Sequence, residues 1–563
     1  MKGTLREGIL IAVGALTFAL AFTYPILRHF GQPGFNNDWD FTWQLHWVPY
    51  LTVVHFHQFP FWNPYKCGGM PMLANPQARF LTPFFLLHLI WGPVVGLQLE
   101  IVMHLAIAWA GGYVLARAMG RSALAAILCG SLFPGSSWFY LHMGVGQAVF
   151  LPALYLPWFL ALLWIATEQR KLFMAALSGV VLALMFFEGG VYSVTQAGLF
   201  AGLLGLVLAI QWRSGWPLMV LGIASLFAAG LAAPKLLPSF ELMQQLPRPT
   251  GFIVESHRIQ ELLAALFSRI QNPALHPQLY GIGQFSFWEI GAYVSPLVAP
   301  LVLLGIITRP RQTLPWLIAS LVVFGAAIGD VSRYAPWSLF HHLPIFSSER
   351  VVARFLIPLT LALGVIAACG VDFLTSSEGR FPLWVVGTMV ATVVLDLWLV
   401  SPPLLLQAVG GTEPTIPVSA SFQQVNGRFI RFNMYAWTRA NQGTVNCYEY
   451  AEPQTTVLGY RQPGYRGEQY LNGPGSIKLL RWTPNVLTYE VDLSQPGVAT
   501  INQNYDRGWR LVRGQGRVFS SQGLLALCLP RGRQRLEITY HSPPTVIGTI
   551  IALAVIGFIV ALY

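Results

Sequence analysis

Asn36-Asn37-Asp38-Trp39-Asp40 follows the first long apolar run of the chain, and Trp62-Asn63-Pro64-Tyr65 with Gly68-Gly69-Met70-Pro71 comes before the next. Two carboxylates thus stand at the mouth of a membrane-length run, in a chain with only 23 acidic residues among 563. A carboxylate beside lipid is costly to desolvate and needs a role that offsets the cost. Chemistry at the membrane surface, on a lipid-linked substrate, is the role that fits this placement.

The chain is 54% hydrophobic and only 10% charged, against roughly 25% charged residues in soluble domains. That composition excludes a soluble protein and implies a polytopic membrane protein. The net charge of +11 invites a nucleic-acid partner, but most Lys and Arg are dispersed at the ends of apolar runs, where the positive-inside rule puts them. The five cysteines, Cys67, Cys129, Cys369, Cys447 and Cys528, form no CxxC and no Cys/His metal spacing. Cys447 and Cys528 share the one long polar stretch, and their pairing is left open. Lys2 and Arg6 precede an apolar run, and Arg28-His29-Phe30 lacks a small-residue cleavage pattern, so the N-terminus reads as a retained signal-anchor.

Apolar runs of about 20 residues fall near 8–28, 97–116, 122–140, 148–167, 172–187, 192–212, 216–236, 292–308, 313–329, 355–375, 382–401 and 544–562. The expected fold is a polytopic α-helical membrane protein of about twelve spans. The shorter piece 80–95, broken by Pro83 and Pro93, reads as re-entrant or interfacial. Arg117 and Arg121, Arg170 and Lys171, Arg213, Arg309 and Arg311, and Arg380 occupy alternate short loops. Those loops are therefore cytoplasmic, both termini lie inside, and segments 29–80, 237–291 and 402–543 face the extracytoplasmic side of the plasma membrane. The two halves show no repeat, which weakens an inverted-repeat transporter reading.

Residues 402–543 change character: alternating runs such as 486–493 and 535–540 are separated by turns at 472–475, 495–497 and 530–532. This pattern predicts an extracytoplasmic, jelly-roll-like β-sandwich domain before the last span, 544–563. Trp482, Tyr505 and Trp509 suit sugar stacking or, more simply, core packing. The helix expected at 39–57 carries Trp43, Trp47, Tyr50, Leu51 and Val54 at helical spacing, which reads as an interfacial helix along the headgroups. His46 and His55 then read as interfacial polar groups rather than ligands, and the Trp62–Tyr65 segment as a shaped turn.

The sequence resembles the YfhO-like membrane proteins of the GT-C glycosyltransferase class. The first-loop block carries the resemblance: Asp38, an aromatic helix, 60–65, Gly68-Gly69-Met70-Pro71 and Ala74-Asn75-Pro76-Gln77. Further blocks follow in the same order: 231–241 with Arg248, Glu289 to Val294, 346–350 with Arg354-Phe355, Asn504 to Trp509, and 530–540. It departs from the family pattern at Phe187-Glu188-Gly189-Gly190, at Lys235 and at Arg507. The resemblance implies transfer of a sugar, with inversion, from a polyprenyl-phosphate donor to an extracytoplasmic glycan, lipid or protein acceptor.

That chemistry needs a base for the acceptor hydroxyl and cations for the leaving phosphate. Asp38 is the candidate base, although Asp at that position also suits a helix N-cap. Asp40 is expected to support it, or to join it on a divalent cation such as Mg or Mn, or to be a solvated charge at the helix start. Lys235, Arg350 and Arg354 are candidates for the donor phosphate, with snorkelling to the headgroups as the plainer alternative. Glu188, Tyr192, Glu241, Arg248, Glu289, Tyr293, His142 and Gln147 are candidates for lining the substrate cavity. A transporter or flippase of lipid-linked sugars and a non-catalytic envelope-glycan assembly protein are the competing functions.

Overall fold

The computed structural model describes residues 2–35, 37–246, 255–271, 286–343, 346–410, 413, 415–426, 433–445, 447, 453 and 455–562. Among them, nine helices are long and apolar enough to cross a membrane: Phe85–Ala118, Ala123–Gly144, Ala148–Gln169, Val191–Trp212, Trp216–Gln245, Pro310–Ile328, Val352–Thr375, Leu383–Leu406 and Pro543–Leu562. Leu172–Phe187 and Val298–Thr308 are shorter apolar helices, and Lys2–Phe22 packs against Phe85–Ala118. The expected run at 292–308 becomes helical only from Val298, and the run at 216–236 continues as helix to Gln245.

The piece at 80–95 is set apart from the span that follows it. Helical residues run from Phe85 to Ala118, but they are two helices divided by a break at Gly92, whose φ of 78° and ψ of 164° lie outside the helical region. Pro93 lacks the N–H that a continuous helix would need, and Gly92 takes the turn without a Cβ clash. The short helix before the break folds back on the longer one, where a Cβ on Gly96 would lie 2.7 Å from the His88 backbone.

The C-terminal sheets are built from eight strands. These are β5 (Gln469–Asn472), β6 (Gly475–Trp482), β7 (Val486–Leu493), β8 (Gly497–Asn504), β9 (Trp509–Arg513), β10 (Arg517–Ser521), β11 (Leu524–Leu529) and β12 (Gly532–Tyr540). One sheet runs β10-β11-β8-β5 and the other β6-β7-β12-β9, all pairs antiparallel. Alternate residues such as Leu487, Tyr489, Val491 and Leu493 point into the shared core, as period-two patterning requires. Trp509 is buried in that core, and Trp482 stacks on Phe422 with centroids 4.4 Å apart, so both serve packing.

The segment between Lys2–Phe22 and Phe85–Ala118 ties the helices to the C-terminal sheets. Its two short strands, β1 (Trp62–Asn63) and β2 (Met70–Pro71), pair with each other. Trp62 is fully buried in the core of the sheets, 4.9 Å from the Tyr540 ring and 5.3 Å from that of Trp509. Asn504 Nδ2 donates to Cys67 O (2.7 Å) and Gly69 O (2.8 Å), and Trp62 N donates to Asn485 Oδ1 (3.0 Å). Cys67 is disulfide-bonded to Cys447, and Cys528 is an exposed free thiol. The Cys447–Cys528 pairing is thereby excluded, because Cys447 has a partner in the loop.

The described residues of 402–468 pack on this loop through β3 (Gln423–Val425), β4 (Gln442–Thr444) and the helix Met434–Arg439. The helix Trp39–Val54 consequently does not lie along the headgroups. Its residues from Trp39 to His46 are all buried, covered by Met434–Arg439 on one side and Phe85–Ala118 on another.

Gly69 shows how tightly the loop is fitted. Its φ is +101°, and a Cβ there would lie 2.8 Å from the Trp62 ring. Gly69→Ala is therefore expected to lower stability by about 1–3 kcal/mol through overpacking and backbone strain. Thermal unfolding of the purified variant checks this, and an unchanged midpoint would show that the loop tolerates the shift.

Candidate active site

Asp38 is held at the start of the helix Trp39–Val54 by its neighbours on the loop after Ala123–Gly144. Its N–H donates to Val145 O (2.9 Å), and Trp39 Nε1 donates to Gly144 O (3.3 Å). Gly146 allows this approach: a Cβ on it would meet Trp39 N at 2.4 Å. Asp38 occupies the N-cap position, but its side chain makes no capping bond to the helix. It is turned instead to Gln147, whose Nε2 lies 3.2 Å from Asp38 Oδ2 and 3.0 Å from Glu289 Oε1.

Glu289 ends the short turn Phe287–Glu289 and pairs in fork geometry with Arg354: Nε to Oε2 and Nη2 to Oε1, both 2.8 Å. The guanidinium sits 4.5 Å from the centre of the Tyr192 ring and 4.9 Å from that of Phe150, and His142 stacks on the other side of Phe150 at 3.9 Å. The Arg354 and His142 charges and the Gln147 and Arg354 hydrogen bonds outweigh burial, so Glu289 is held well below the usual carboxylate range. Asp38, Gln147, Glu289, Arg354, Tyr192 and His142 thus meet in one place, at the ends of five helices and the turn Phe287–Glu289. The arrangement sets a half-buried carboxylate two side chains away from a cation whose fork has N–H groups beyond the two that Glu289 accepts.

The other candidates lie elsewhere. Lys235 is buried, and its ammonium donates to the carbonyls of Pro76 (3.0 Å), Ala78 (2.6 Å), Phe186 (2.9 Å) and Phe187 (3.2 Å). It ties the first loop to the end of Leu172–Phe187 and is not turned to the Asp38 group. Glu188 accepts from His104 Nε2 (2.7 Å) and the Tyr155 hydroxyl (2.9 Å) in a second buried cluster. The Tyr293 hydroxyl donates to Asp396. Glu241 lines a cavity of about 260 Å³ beside Asp506, Arg507 and Arg510, at the junction of the sheets with the last span. Arg350 is half-buried on the turn that leads to Arg354, and Arg248 lies outside the described residues.

Asp40 is structural. Both its oxygens accept backbone N–H groups at the start of the helix Met434–Arg439, from Met434 (2.6 Å) and Tyr435 (3.0 Å), the favourable end of the helix dipole for an anion. Both Asp40 oxygens are thus turned to the helix Met434–Arg439. Burial outweighs those two donors and pushes its pKa from 3.8 up to about 6. A raised carboxyl pKa makes the folded state bind the extra proton, so this stabilisation is full below pH 3.8 and is lost as pH rises through about 6. Thermal unfolding from pH 4 to 7 should accordingly fall more steeply in the wild type than in Asp40→Asn, which cannot ionise. Parallel curves would show that Asp40 ionises without strain.

Of the second cluster, sequence reasoning singled out Glu188 and read His46 as an interfacial polar group, but it passed over Arg79, His88, Glu100 and His104. Arg79 donates to Ala148 O and to Glu100, His88 Nε2 lies 2.9 Å from Glu100 Oε2, and His46 stands beside His88 with ring centres 4.9 Å apart. Its signal was available: Glu100 and His104, four residues apart inside an apolar helix, are ionisable groups at membrane depth.

No family model matches the chain, and no curated protein matches it. Solved structures do. The oligosaccharyltransferase of Archaeoglobus fulgidus in its apo form shares 12% identity and superposes with a TM-score of 0.44 over 78% of this chain. The same archaeal enzyme, AglB, in complex with an inhibitory peptide and a dolichol-phosphate gives a TM-score of 0.43. The mycobacterial arabinofuranosyltransferase AftD (a mutant form) shares 17% identity, with a TM-score of 0.43 over 72% of this chain. The chain spans 64% of the length of the archaeal protein and 28% of that of AftD. At this level of identity and overlap, the site's chemistry rests on its own residues.

Proposed function

We propose that the protein is a membrane glycosyltransferase that moves a sugar from a polyprenyl-phosphate donor to an extracytoplasmic acceptor with inversion. The observation that carries this reading is the chain Asp38–Gln147–Glu289–Arg354, which sets a carboxylate and a guanidinium into one polar site at the ends of membrane helices. Asp38 takes the proton of the acceptor hydroxyl as the glycosidic bond forms. Arg354, oriented by Glu289 and backed by the Tyr192 and Phe150 rings, stabilises the phosphate charge that develops as the donor bond breaks. Arg350, on the same turn, adds to that positive field. Gln147 bridges the two halves and fixes the direction of the Asp38 carboxylate.

Lys235 is left out of this proposal because four carbonyls already take its ammonium. The proposed acceptors are cell-envelope glycans, lipids or proteins, and the site and the sheets are proposed to face the extracytoplasmic side of the plasma membrane. The dolichol-phosphate of the archaeal complex is a carrier of the proposed donor's class. The test is binding and turnover of a short-chain polyprenyl-phosphate sugar by the purified protein. Saturable donor binding with sugar release supports the reading; failure to bind across several sugars would favour an assembly protein instead.

A further inference from the structure

We propose that His46, His88 and Glu100 form a binding site for a divalent cation of the zinc class, separate from the Asp38 site. A ring nitrogen of each histidine and a carboxylate oxygen of Glu100 lie within 4.8 Å of one another, and all three residues are buried. Side-chain rotation closes such separations to the bonds of about 2.0–2.2 Å that zinc makes with imidazole and carboxylate. Two nitrogens and one carboxylate oxygen, with water in the fourth position, is a donor set that suits this borderline metal better than magnesium or calcium.

Hydrogen bonding specifies which atoms are available. His46 Nδ1 lies 3.1 Å from Thr42 O, a carbonyl that only accepts, so Nδ1 carries the proton and Nε2 presents a lone pair. That Nε2 is buried and has no hydrogen-bond partner among the described residues. A buried lone pair without a donor is costly, and the His88 Nε2 and Glu100 Oε2 atoms beside it, 2.9 Å apart, are the pair that a Lewis acid would join to it once the proton between them leaves.

The surroundings are those of a metal ligand set. A histidine that gives its second nitrogen to a backbone carbonyl, and a carboxylate whose other oxygen is held by an arginine, are both outer-shell arrangements that orient ligands. Here Thr42 O and Arg79 fill those places. The chain is also shaped to bring the ligands together. The break at Gly92 folds the segment with His88 back on the segment with Glu100, and a Cβ on Gly96 would meet the His88 backbone at 2.7 Å. The cation would clip the helix Trp39–Val54, which begins at Asp38, to the long kinked helix.

The test uses the intact protein purified in detergent without chelator. Mass spectrometry of its metals should give about one zinc per chain, either as purified or after dialysis against zinc. Occupancy should fall at least tenfold in His46→Gln and in His88→Gln, and stay unchanged in Asp38→Asn. Cobalt(II) in place of zinc should give a visible absorption band that the two histidine variants lose. X-ray absorption of the zinc-loaded wild type covers the case in which those variants fail to fold, and should show two imidazole nitrogens on the metal. Sub-stoichiometric metal after dialysis, an all-oxygen shell, or metal kept by His46→Gln and lost in Asp38→Asn would each overturn the proposal. None of these readouts depends on sugar transfer.

Discussion

Asp38→Asn is expected to lower sugar transfer by about 10²–10⁴-fold, the usual contribution of a positioned base, while the protein stays folded and inserted. The amide has the carboxylate's shape, and the Asp38 N–H to Val145 O bond belongs to the backbone and survives. Gln147 keeps its bond to Glu289, and an amide flip lets residue 38 still meet it. What disappears is the ability to accept a proton. Donor binding should change little, because the Arg354 fork is untouched. Turnover of a short-chain polyprenyl-phosphate sugar, measured beside donor binding and thermal unfolding, separates these effects. Full activity in the variant would remove Asp38 from the chemistry. Asp40→Asn is the informative contrast: it should alter stability and its pH dependence while leaving the rate of the properly folded fraction near that of the wild type.

The two aspartates show what was and was not legible in the sequence. That Asp38, Gln147, Glu289 and Arg354 lie near one another was readable because each is a polar residue at the end of an apolar run, and such ends gather at one end of a helix bundle. Asp40 was misjudged because its partners, Met434 and Tyr435, are nearly 400 residues away. The pairing of Cys67 with Cys447, 380 residues apart, was hidden for the same reason. Lys235 stands at the end of the expected apolar run 216–236, where snorkelling or phosphate contact is the natural expectation. Only the fold reveals that four carbonyls, from 76–78 and 186–187, converge on its ammonium. The aromatic stripe of Trp39–Val54 has the pattern of an interfacial helix, yet the pattern cannot say whether lipid or a second layer of protein covers it. Here the layer includes the helix Met434–Arg439, in a stretch too irregular to be assigned strands from its sequence. The alternating runs from 486 to 540, by contrast, specify their own faces and were legible.

Breaking the Glu289–Arg354 pair is expected to destabilise the protein more than removing it whole. Glu289 is buried and Arg354 nearly so, with 4% and 11% of their side-chain surface exposed. Arg354→Met leaves Glu289 with the Gln147 donor alone, and an uncompensated buried charge costs about 3–5 kcal/mol. Glu289→Gln strands the guanidinium at similar cost. The double variant Glu289→Gln/Arg354→Met carries no buried charge, so its thermal midpoint should recover most of the loss. The pH dependence has a definite sign: Glu289 is lowered from 4.5 to about 2, so the pair's contribution is present above pH 4.5 and is lost as pH falls through about 2. Function should not follow stability. If Arg354 holds the donor phosphate, the double variant folds yet binds a polyprenyl-phosphate sugar at least tenfold more weakly, whereas folded Glu289→Gln retains binding. Acceptor affinity should change little in either. Donor binding restored along with stability, or equal losses toward donor and acceptor, would show that Arg354 serves the fold alone and that the phosphate is met by other groups.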